Sequence, residues 1–165
     1  EGWRRISVSG WWRGSRRRRG GSGGRGWGGV DIGELIQHYG IARHVIELGK
    51  VDNQQLQALY QHAHALLMPS LYEGFGLPII ESMAFGVPVV SSNISSMPEV
   101  VGDGGLLVDP LSIEQISTAI VSIAADRQLH AELCVKAKAQ AKRFSWDKAA
   151  QSTLLEIERV LESAL

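Results

Sequence analysis

The sequence predicts an α/β fold in which helices flank a doubly wound parallel sheet, and three observations predict it. Short apolar runs without polar alternation, such as residues 65–69, are typical of parallel strands buried on both faces. Segments with helical apolar spacing alternate with these runs, as in right-handed strand–helix–strand crossovers. The loops at 49–52, 70–77 and 91–96 follow predicted strands, and ligands of such sheets bind at these carboxyl ends.

The first predicted elements lie between residues 31 and 69. Residues 31–40 have the pattern of a short helix that Gly40 caps, and residues 45–48 that of a strand. Asp52 and Gln55 have the spacing of a capping box, which predicts a helix through residue 63. A strand over 65–69 follows it. The first helix has one apolar face, made of Ile32, Leu35, Ile36 and Tyr39.

The next elements surround a proline and a glycine. Pro78 suits the first turn of a helix, which Gly86 ends. Strands are predicted over 87–91 and 105–108. Residues 93–98 are predicted to form a loop between these two strands.

Three helices are predicted in the last third of the chain. They begin after Ser112, Asp126 and Ser145, which are all good N-cap residues, and the second one reaches residue 144. The last helix has an apolar side that an isolated chain would expose, which predicts self-association. That side consists of Trp146, Ala150, Leu154, Ile157 and Leu161.

The most informative stretch is the loop and helix start around two glycines. Gly74 and Gly76 lie directly before the helix that Pro78 opens. The first N–H groups of a helix have no partner within the helix, and the helix dipole is positive at that end. The sequence therefore predicts an anion site here, suited to a phosphate group.

Two carboxylates bracket this predicted anion site. Glu73 begins the loop and Glu81 lies in the helix, eight positions later. A carboxylate is a pure hydrogen-bond acceptor with two oxygens, which suits the vicinal hydroxyls of a ribose or a hexose. Amides for phosphate and carboxylates for sugar together predict a nucleotide-sugar pocket.

This stretch resembles the signature of a known enzyme family. The letters E-G-F-G-L-P at 73–78, with seven residues between Glu73 and Glu81, are similar to the E-x7-E signature of group 1 retaining glycosyltransferases of GT-B architecture. The resemblance extends over roughly residues 44–165. It implies that residues 31–165 form the Rossmann-like, C-terminal half of a two-domain enzyme, which binds the nucleotide-sugar donor.

The resemblance also implies roles for individual residues. Glu73 is the expected catalytic residue and orients the donor hexose, while Glu81 binds the ribose hydroxyls. Val51 is expected near the nucleobase, and Asn93 is a further donor-binding residue. Backbone N–H groups are expected to contact the hexose and the diphosphate at Gly74, Phe75, Gly76 and Leu77.

The implied reaction is the transfer of a hexose from a nucleoside diphosphate sugar with retention of configuration, without a metal or other cofactor. The letters N-I-S-S-M-P-E at 93–99 are most similar to mannosyltransferase-type members, so GDP-mannose is the first candidate donor. The acceptor belongs to an N-terminal domain that this chain lacks. A polysaccharide or glycolipid product is expected, and a lipid-linked acceptor implies contact with a membrane periphery.

Residues 1–30 differ in composition from the rest of the chain. They hold eight arginines and one glutamate, a balance of +7, and four of the five tryptophans. The family would have an Arg and a Lys that grip the diphosphate upstream of residue 31, and no counterpart is recognisable. Three interpretations stay open: out-of-frame translation, which we favour, a disordered leader, or an Arg/Gly arm that binds nucleic acid.

Composition otherwise predicts a cytoplasmic protein without a membrane-spanning segment. The net charge is zero, and the single cysteine, Cys134, cannot form an internal disulfide. No apolar run approaches the roughly 18–20 residues that span a bilayer. The five histidines have no metal-ligand spacing, and so no metal site is predicted.

Other functions fit parts of the same pattern. A glycosidase also uses two carboxylates but needs no amides between them. A nucleotide-sugar epimerase shares the architecture and is the closer enzymatic alternative. From a different class, the chain could be a donor-binding module that is catalytically incomplete.

Overall fold

The computed structural model describes residues 6–8, 31–49 and 51–163. Four short strands form one parallel sheet whose spatial order equals the chain order. They are β1 (Ile6–Val8), β2 (Ala65–Met68), β3 (Val89–Ser92) and β4 (Gly105–Val108). The helices are α1 (Ile32–His38), α2 (Asn53–His62), α3 (Leu77–Ala84), α4 (Met97–Val101), α5 (Ile113–Ala125), α6 (Arg127–Ala141) and α7 (Trp146–Ser163), with a 3-10 turn at Ala42–His44.

The sheet is covered by helices on both faces, which confirms the predicted α/β class. Since each crossover steps to the next strand in the same direction, right-handed connections place α3 and α4 on one face. On the other face, Val90 and Val108 pack with Ala119 and Ile123 of α5 and Leu133 of α6 in a buried cluster. β2 and β3 are buried along their whole length, whereas β4 is only partly buried and its Leu107 is 39% exposed.

The predicted helix starts are confirmed by their hydrogen bonds. The Asp52 carboxylate accepts from the Gln55 N–H at 2.8 Å, and the Gln55 side chain accepts from the Asp52 N–H at 2.9 Å, which is a complete capping box. Asp31, Ser112 and Asp126 cap α1, α5 and α6 through their side chains. The Ser145 hydroxyl accepts from the Lys148 N–H at the start of α7.

The prediction of a strand over 45–48 is wrong. These residues follow the 3-10 turn and take no part in the sheet. A strand exists only where a neighbour completes its hydrogen-bond ladder, and both edges of β2 are occupied, by β1 and by β3. The side chains of Val45, Ile46 and Leu48 are accordingly exposed.

The predicted loop over 93–98 is also partly wrong, because the short helix α4 begins at Met97. Pro98 lies in its first turn, where a missing N–H costs nothing, and Gly102 ends it with φ +49°. Five residues are too few to produce a recognisable helical period. Several boundaries also differ from prediction: α2 ends at His62 and not at residue 63, β2 covers 65–68 and not 65–69, β3 covers 89–92 and not 87–91, and α6 ends at Ala141 and not at residue 144.

The described residues fall into two compact units. One contains residues 6–8 and 57–163, and therefore the whole sheet; the other contains residues 31–49 and 51–56. In the second unit, α1 has no buried residue, so its predicted apolar face is exposed. Of segment 1–30 only β1 is described. The sequence pattern predicted no strand at residues 6–8. A domain boundary at residue 31 stays a prediction.

Candidate active site

The candidate site lies at the carboxyl ends of β2 and β3, where the loops 69–76 and 93–96 leave the sheet. Gly76 is the N-cap residue of α3 and has φ +86°, a left-handed conformation that favours glycine. It is also tightly surrounded, because a Cβ on Gly76 would lie 3.1 Å from both Ile79 Cδ1 and Met97 Cε. The loop can therefore turn sharply into α3 only with a glycine at this position.

The start of α3 and the loop before it present consecutive backbone donors. In the described part of the chain, no hydrogen bond is formed by the N–H groups of the four predicted donor-binding residues, Gly74, Phe75, Gly76 and Leu77. Pro78 has no N–H, and the Ile79 N–H donates to the Gly76 carbonyl at 2.9 Å. The donor series therefore spans the loop and the first helical residue, and it does not extend into the helix.

Glu73 is half-buried at the start of this loop. Its Oε1 accepts a hydrogen bond from the Ser70 hydroxyl at 3.1 Å. The bond joins the two ends of a four-residue turn, which limits the rotamers of the Glu73 side chain. The turn is followed by Gly74, where an added Cβ would meet no atom within 4 Å. The loop is therefore open at Gly74, next to the carboxylate.

The loop after β3 holds the Glu73 backbone in place. Both the Ser95 and the Ser96 hydroxyls donate to the Glu73 carbonyl oxygen, at 2.8 and 3.2 Å. Ser95 has φ +59°, an uncommon conformation for a residue with a side chain. Two predicted site loops, 70–77 and 91–96, are thereby brought together. The third loop, 49–52, includes a residue outside the described ranges, and its described residues belong to the other unit.

Glu81 is exposed on α3, and its carboxylate is held from α2. The buried Tyr60 hydroxyl donates to Glu81 Oε2 at 3.2 Å, and the Tyr60 ring stacks on Phe85 with centroids 6.0 Å apart. Burial, followed by the charge of Glu81 and the hydrogen bond to it, raises the pKa of the Tyr60 hydroxyl well above its ordinary value. Tyr60 is therefore a hydrogen-bond donor to Glu81 at any physiological pH.

The other predicted site residues take varied positions. The Phe75 ring packs edge-on against Phe144 with centroids 5.8 Å apart, while Leu77 is exposed. Asn93 is exposed just after β3, and its N–H donates to the Val108 carbonyl. Val51 belongs to the other unit, and its role near a nucleobase stays a prediction.

A metal site and a membrane-spanning helix are both absent from residues 6–8, 31–49 and 51–163. No group of three or more histidine, cysteine, aspartate or glutamate side chains in these ranges could hold a metal ion. Within the same ranges, every helix is too short or too polar to cross a bilayer.

Sequence reasoning did not identify Tyr60, Ser95 and Ser96 as parts of the site. Each bonds to a glutamate that is 21 to 23 positions away in the chain. Such pairings follow from the tertiary fold and leave no local pattern. The one available signal was the tyrosine on the helix face that packs toward the sheet, since a buried hydroxyl needs a partner.

Comparison with known proteins identifies the family. The model of the family "Glycosyl transferases group 1" matches residues 28–144, more than half of the chain. The chain is 41% identical over 133 residues to O-antigen chain mannosyltransferase B of Escherichia coli, covering 81% of this chain and 35% of the relative. It is 34% identical over 133 residues to MMP alpha-(1->4)-mannosyltransferase of Mycolicibacterium hassiacum, covering 78% of this chain and 32% of that relative.

Solved structures give the same result for the fold. Sucrose-phosphate synthase from Thermosynechococcus elongatus matches with a TM-score of 0.71 and 31% identity, over 81% of this chain and 34% of that one. Anabaena HepE in complex with UDP-glucose matches with a TM-score of 0.68 and 26% identity, over 80% and 36% of the two chains. This chain thus spans about a third of the length of these proteins. It belongs to the group 1 glycosyl transferase family, as its signature residues at 73–81 predicted.

Proposed function

We propose that this chain binds a nucleoside diphosphate hexose and forms the donor half of a retaining hexosyltransferase. The observation that carries the proposal is the series of N–H groups at 74–77, which have no hydrogen-bond partner among the described residues and lie in the chain between two carboxylates that each accept from a hydroxyl group. Each carboxylate has its own hydroxyl donor, so the two glutamates are independently positioned for two different sugar rings.

Each group of the site has its own role in the proposed reaction, which follows from its chemistry. The amides and the positive end of α3 stabilise the charge that develops on the departing diphosphate. Glu73 orients the hexose as the bond from its anomeric carbon to the diphosphate oxygen breaks and a bond to the acceptor oxygen forms on the same face. The proton of the acceptor hydroxyl passes to the departing diphosphate. Glu81 accepts hydrogen bonds from the ribose hydroxyls. No metal or other cofactor takes part in this proposal.

GDP-mannose is the donor we propose first. The mannosyltransferase names of the Escherichia coli and Mycolicibacterium relatives support it, as does the N-I-S-S-M-P-E sequence at 93–99. The UDP-glucose complex of HepE supports UDP-glucose as the alternative. The O-antigen relative supports a polysaccharide or glycolipid product, and with it a cytoplasmic enzyme that reaches a lipid-linked acceptor at the membrane periphery.

The second candidate function is donor binding without turnover by this chain alone. The chain spans about a third of its relatives, and the acceptor-binding half and the diphosphate-gripping cations are not recognisable in it. A complete enzyme is expected to contain both.

Titration calorimetry with GDP, UDP and ADP tests the donor proposal. We expect one nucleotide to bind and the Glu81→Gln variant to bind it about tenfold more weakly, the loss of one good hydrogen bond to a charged group. Glu73→Ala should leave nucleotide affinity within about twofold, because its partner is the hexose. Equal affinity of Glu81→Gln and the unchanged chain would contradict the role of Glu81. A donor-hydrolysis assay then separates turnover from binding alone.

A further inference from the structure

Tyr60 is a buried side chain whose only polar atom points at an exposed carboxylate. Its residue is 3% exposed, and its ring stacks on Phe85 with an interplanar angle of 22°. The hydroxyl lies 3.2 Å from Glu81 Oε2, across the contact between α2 and α3. A phenylalanine could fill the same apolar space, so packing alone does not explain the hydroxyl group.

The hydrogen bond has a consequence for Glu81. An exposed glutamate on a helix samples several rotamers, and ordering it costs conformational entropy. The Tyr60 hydroxyl favours one carboxylate orientation before any ligand arrives. It occupies one of about four acceptor positions, and Oε1 forms no hydrogen bond with any residue that the structure describes. The oriented Glu81 carboxylate can therefore still accept hydrogen bonds from two hydroxyl groups.

We propose that Tyr60 is a positioning residue that holds Glu81 for the ribose diol and thereby makes the site selective for ribonucleotides. The inference rests on the proposed function, in which Glu81 accepts from the ribose. Tyr60 itself touches no substrate in this arrangement. It acts by lowering the entropic cost of binding, which is the general effect of preorganisation.

The expected effect is specific for the sugar. The Tyr60–Glu81 distance is slightly longer than is usual for O–H···O, which indicates a modest hydrogen bond, and we expect Tyr60→Phe to weaken GDP binding about fivefold. The affinity for 2′,3′-dideoxy-GDP should change by less than about twofold, because that ligand lacks the hydroxyls that Glu81 receives. A merely structural role of Tyr60 would weaken both nucleotides equally.

The experiment measures the affinities of this chain for GDP and 2′,3′-dideoxy-GDP by calorimetry, or for the UDP pair if UDP binds more tightly. The variants are Tyr60→Phe, Glu81→Gln and the double variant, with Tyr39→Phe as the control because Tyr39 is 68% exposed. Thermal unfolding verifies that each variant is folded. We expect the preference for the ribonucleotide to fall in Tyr60→Phe and to fall further in Glu81→Gln. In the double variant it should be no lower than in Glu81→Gln.

The outcomes separate the inference from the function on which it rests. An unchanged chain that does not prefer GDP over its dideoxy analogue would overturn the role of Glu81, and this inference with it. A preference that Glu81→Gln loses and Tyr60→Phe retains would overturn the inference alone. Equal weakening of both nucleotides in Tyr60→Phe would also overturn it, since it would make Tyr60 a packing residue only.

Discussion

At the scale of single residues, the two glycines of the site loop, Gly74 and Gly76, have different roles. Gly76 has a positive φ and close neighbours in Ile79 and Met97, whereas Gly74 has neither. Conformation therefore requires glycine at Gly76. At Gly74 the structure gives no steric reason for it within the protein, and the open space above its backbone is where the proposed donor would approach.

The first prediction compares these two glycines. Gly76→Ala should lower the free energy of unfolding by about 1–2 kcal/mol, because alanine is strained at φ +86° and its Cβ would press on Ile79 and Met97. Gly74→Ala is the matched control and should stay within about 0.5 kcal/mol of the unchanged chain. Urea unfolding of the three proteins measures the difference. Equal stability of the two variants would contradict the conformational role of Gly76.

Tyr60 gives a prediction for alkaline pH. Its pKa is raised in the folded state, above the ordinary value of about 10 that it recovers on unfolding. The stabilisation is therefore complete below pH 10 and is lost as pH rises from 10 toward the folded pKa, at about 1.4 kcal/mol per pH unit.

The alkaline test compares unfolding free energies at several pH values from 8 to 11. The advantage of the unchanged chain over Tyr60→Phe should be constant up to about pH 9.5 and should shrink above pH 10. Tyr39→Phe, at an exposed tyrosine, is the control for the removal of a tyrosine hydroxyl. A constant advantage up to pH 11 would mean that Tyr60 titrates alike in both states.

At the scale of elements, the loop after β3 fixes the loop after β2. Ser95 and Ser96 place two hydroxyl donors on one carbonyl, and Ser95 adopts a left-handed conformation in this arrangement. Backbone strain at a position that holds a candidate active-site loop is consistent with a loop geometry that serves the site.

Removal of the two hydroxyls should loosen the 70–77 loop. Ser95→Ala with Ser96→Ala should speed limited proteolysis within residues 70–77 by about tenfold, from the loss of two hydrogen bonds to one carbonyl. Nucleotide affinity should fall by a smaller factor. Ser117→Ala is the matched control, because the Ser117 hydroxyl donates to the Glu114 carbonyl on an exposed part of α5. An unchanged cleavage rate in the double variant would show that the loop is held by other contacts.

Local sequence signals predicted most helices and strands of this chain. The wrong predictions concern features that depend on pairing between distant residues. Capping depends on residues three positions apart, so the Asp52–Gln55 box could be predicted from sequence. An apolar run such as 45–48 shows that side chains could be buried but not which strand would pair with them. The same reason hid the Tyr60–Glu81 bond, while the amides at 74–77 were expected because they lie within the short signature stretch at 73–81.

At the scale of the whole molecule, the described sheet carries the proposed donor site. The relatives are about three times as long, and the proposed acceptor-binding half has no counterpart among the described residues. The last described helix is α7. None of its residues is buried. Several large apolar residues on it are more than half exposed: Trp146, Leu154, Leu155, Ile157, Val160 and Leu161.

The exposed side of α7 leads to the last prediction, that this chain alone self-associates. Single exposed apolar residues are normal on proteins, but a stripe of them along an 18-residue helix is a favourable contact surface. Two copies can bury their stripes against each other as antiparallel helices do. Sedimentation velocity should give a mass that rises with concentration. Leu154→Glu with Ile157→Glu should shift the chain to a monomer, since each charge would have to be desolvated in the contact.

Val121→Glu is the control for this experiment, because Val121 is a comparably exposed apolar residue on α5, outside the stripe. It should sediment like the unchanged chain. If the unchanged chain is a monomer at every concentration, α7 does not mediate association between copies of this chain. If Val121→Glu dissociates the assembly as well as the α7 variant does, the contact lies elsewhere, because only a surface that includes α5 would respond to a charge there.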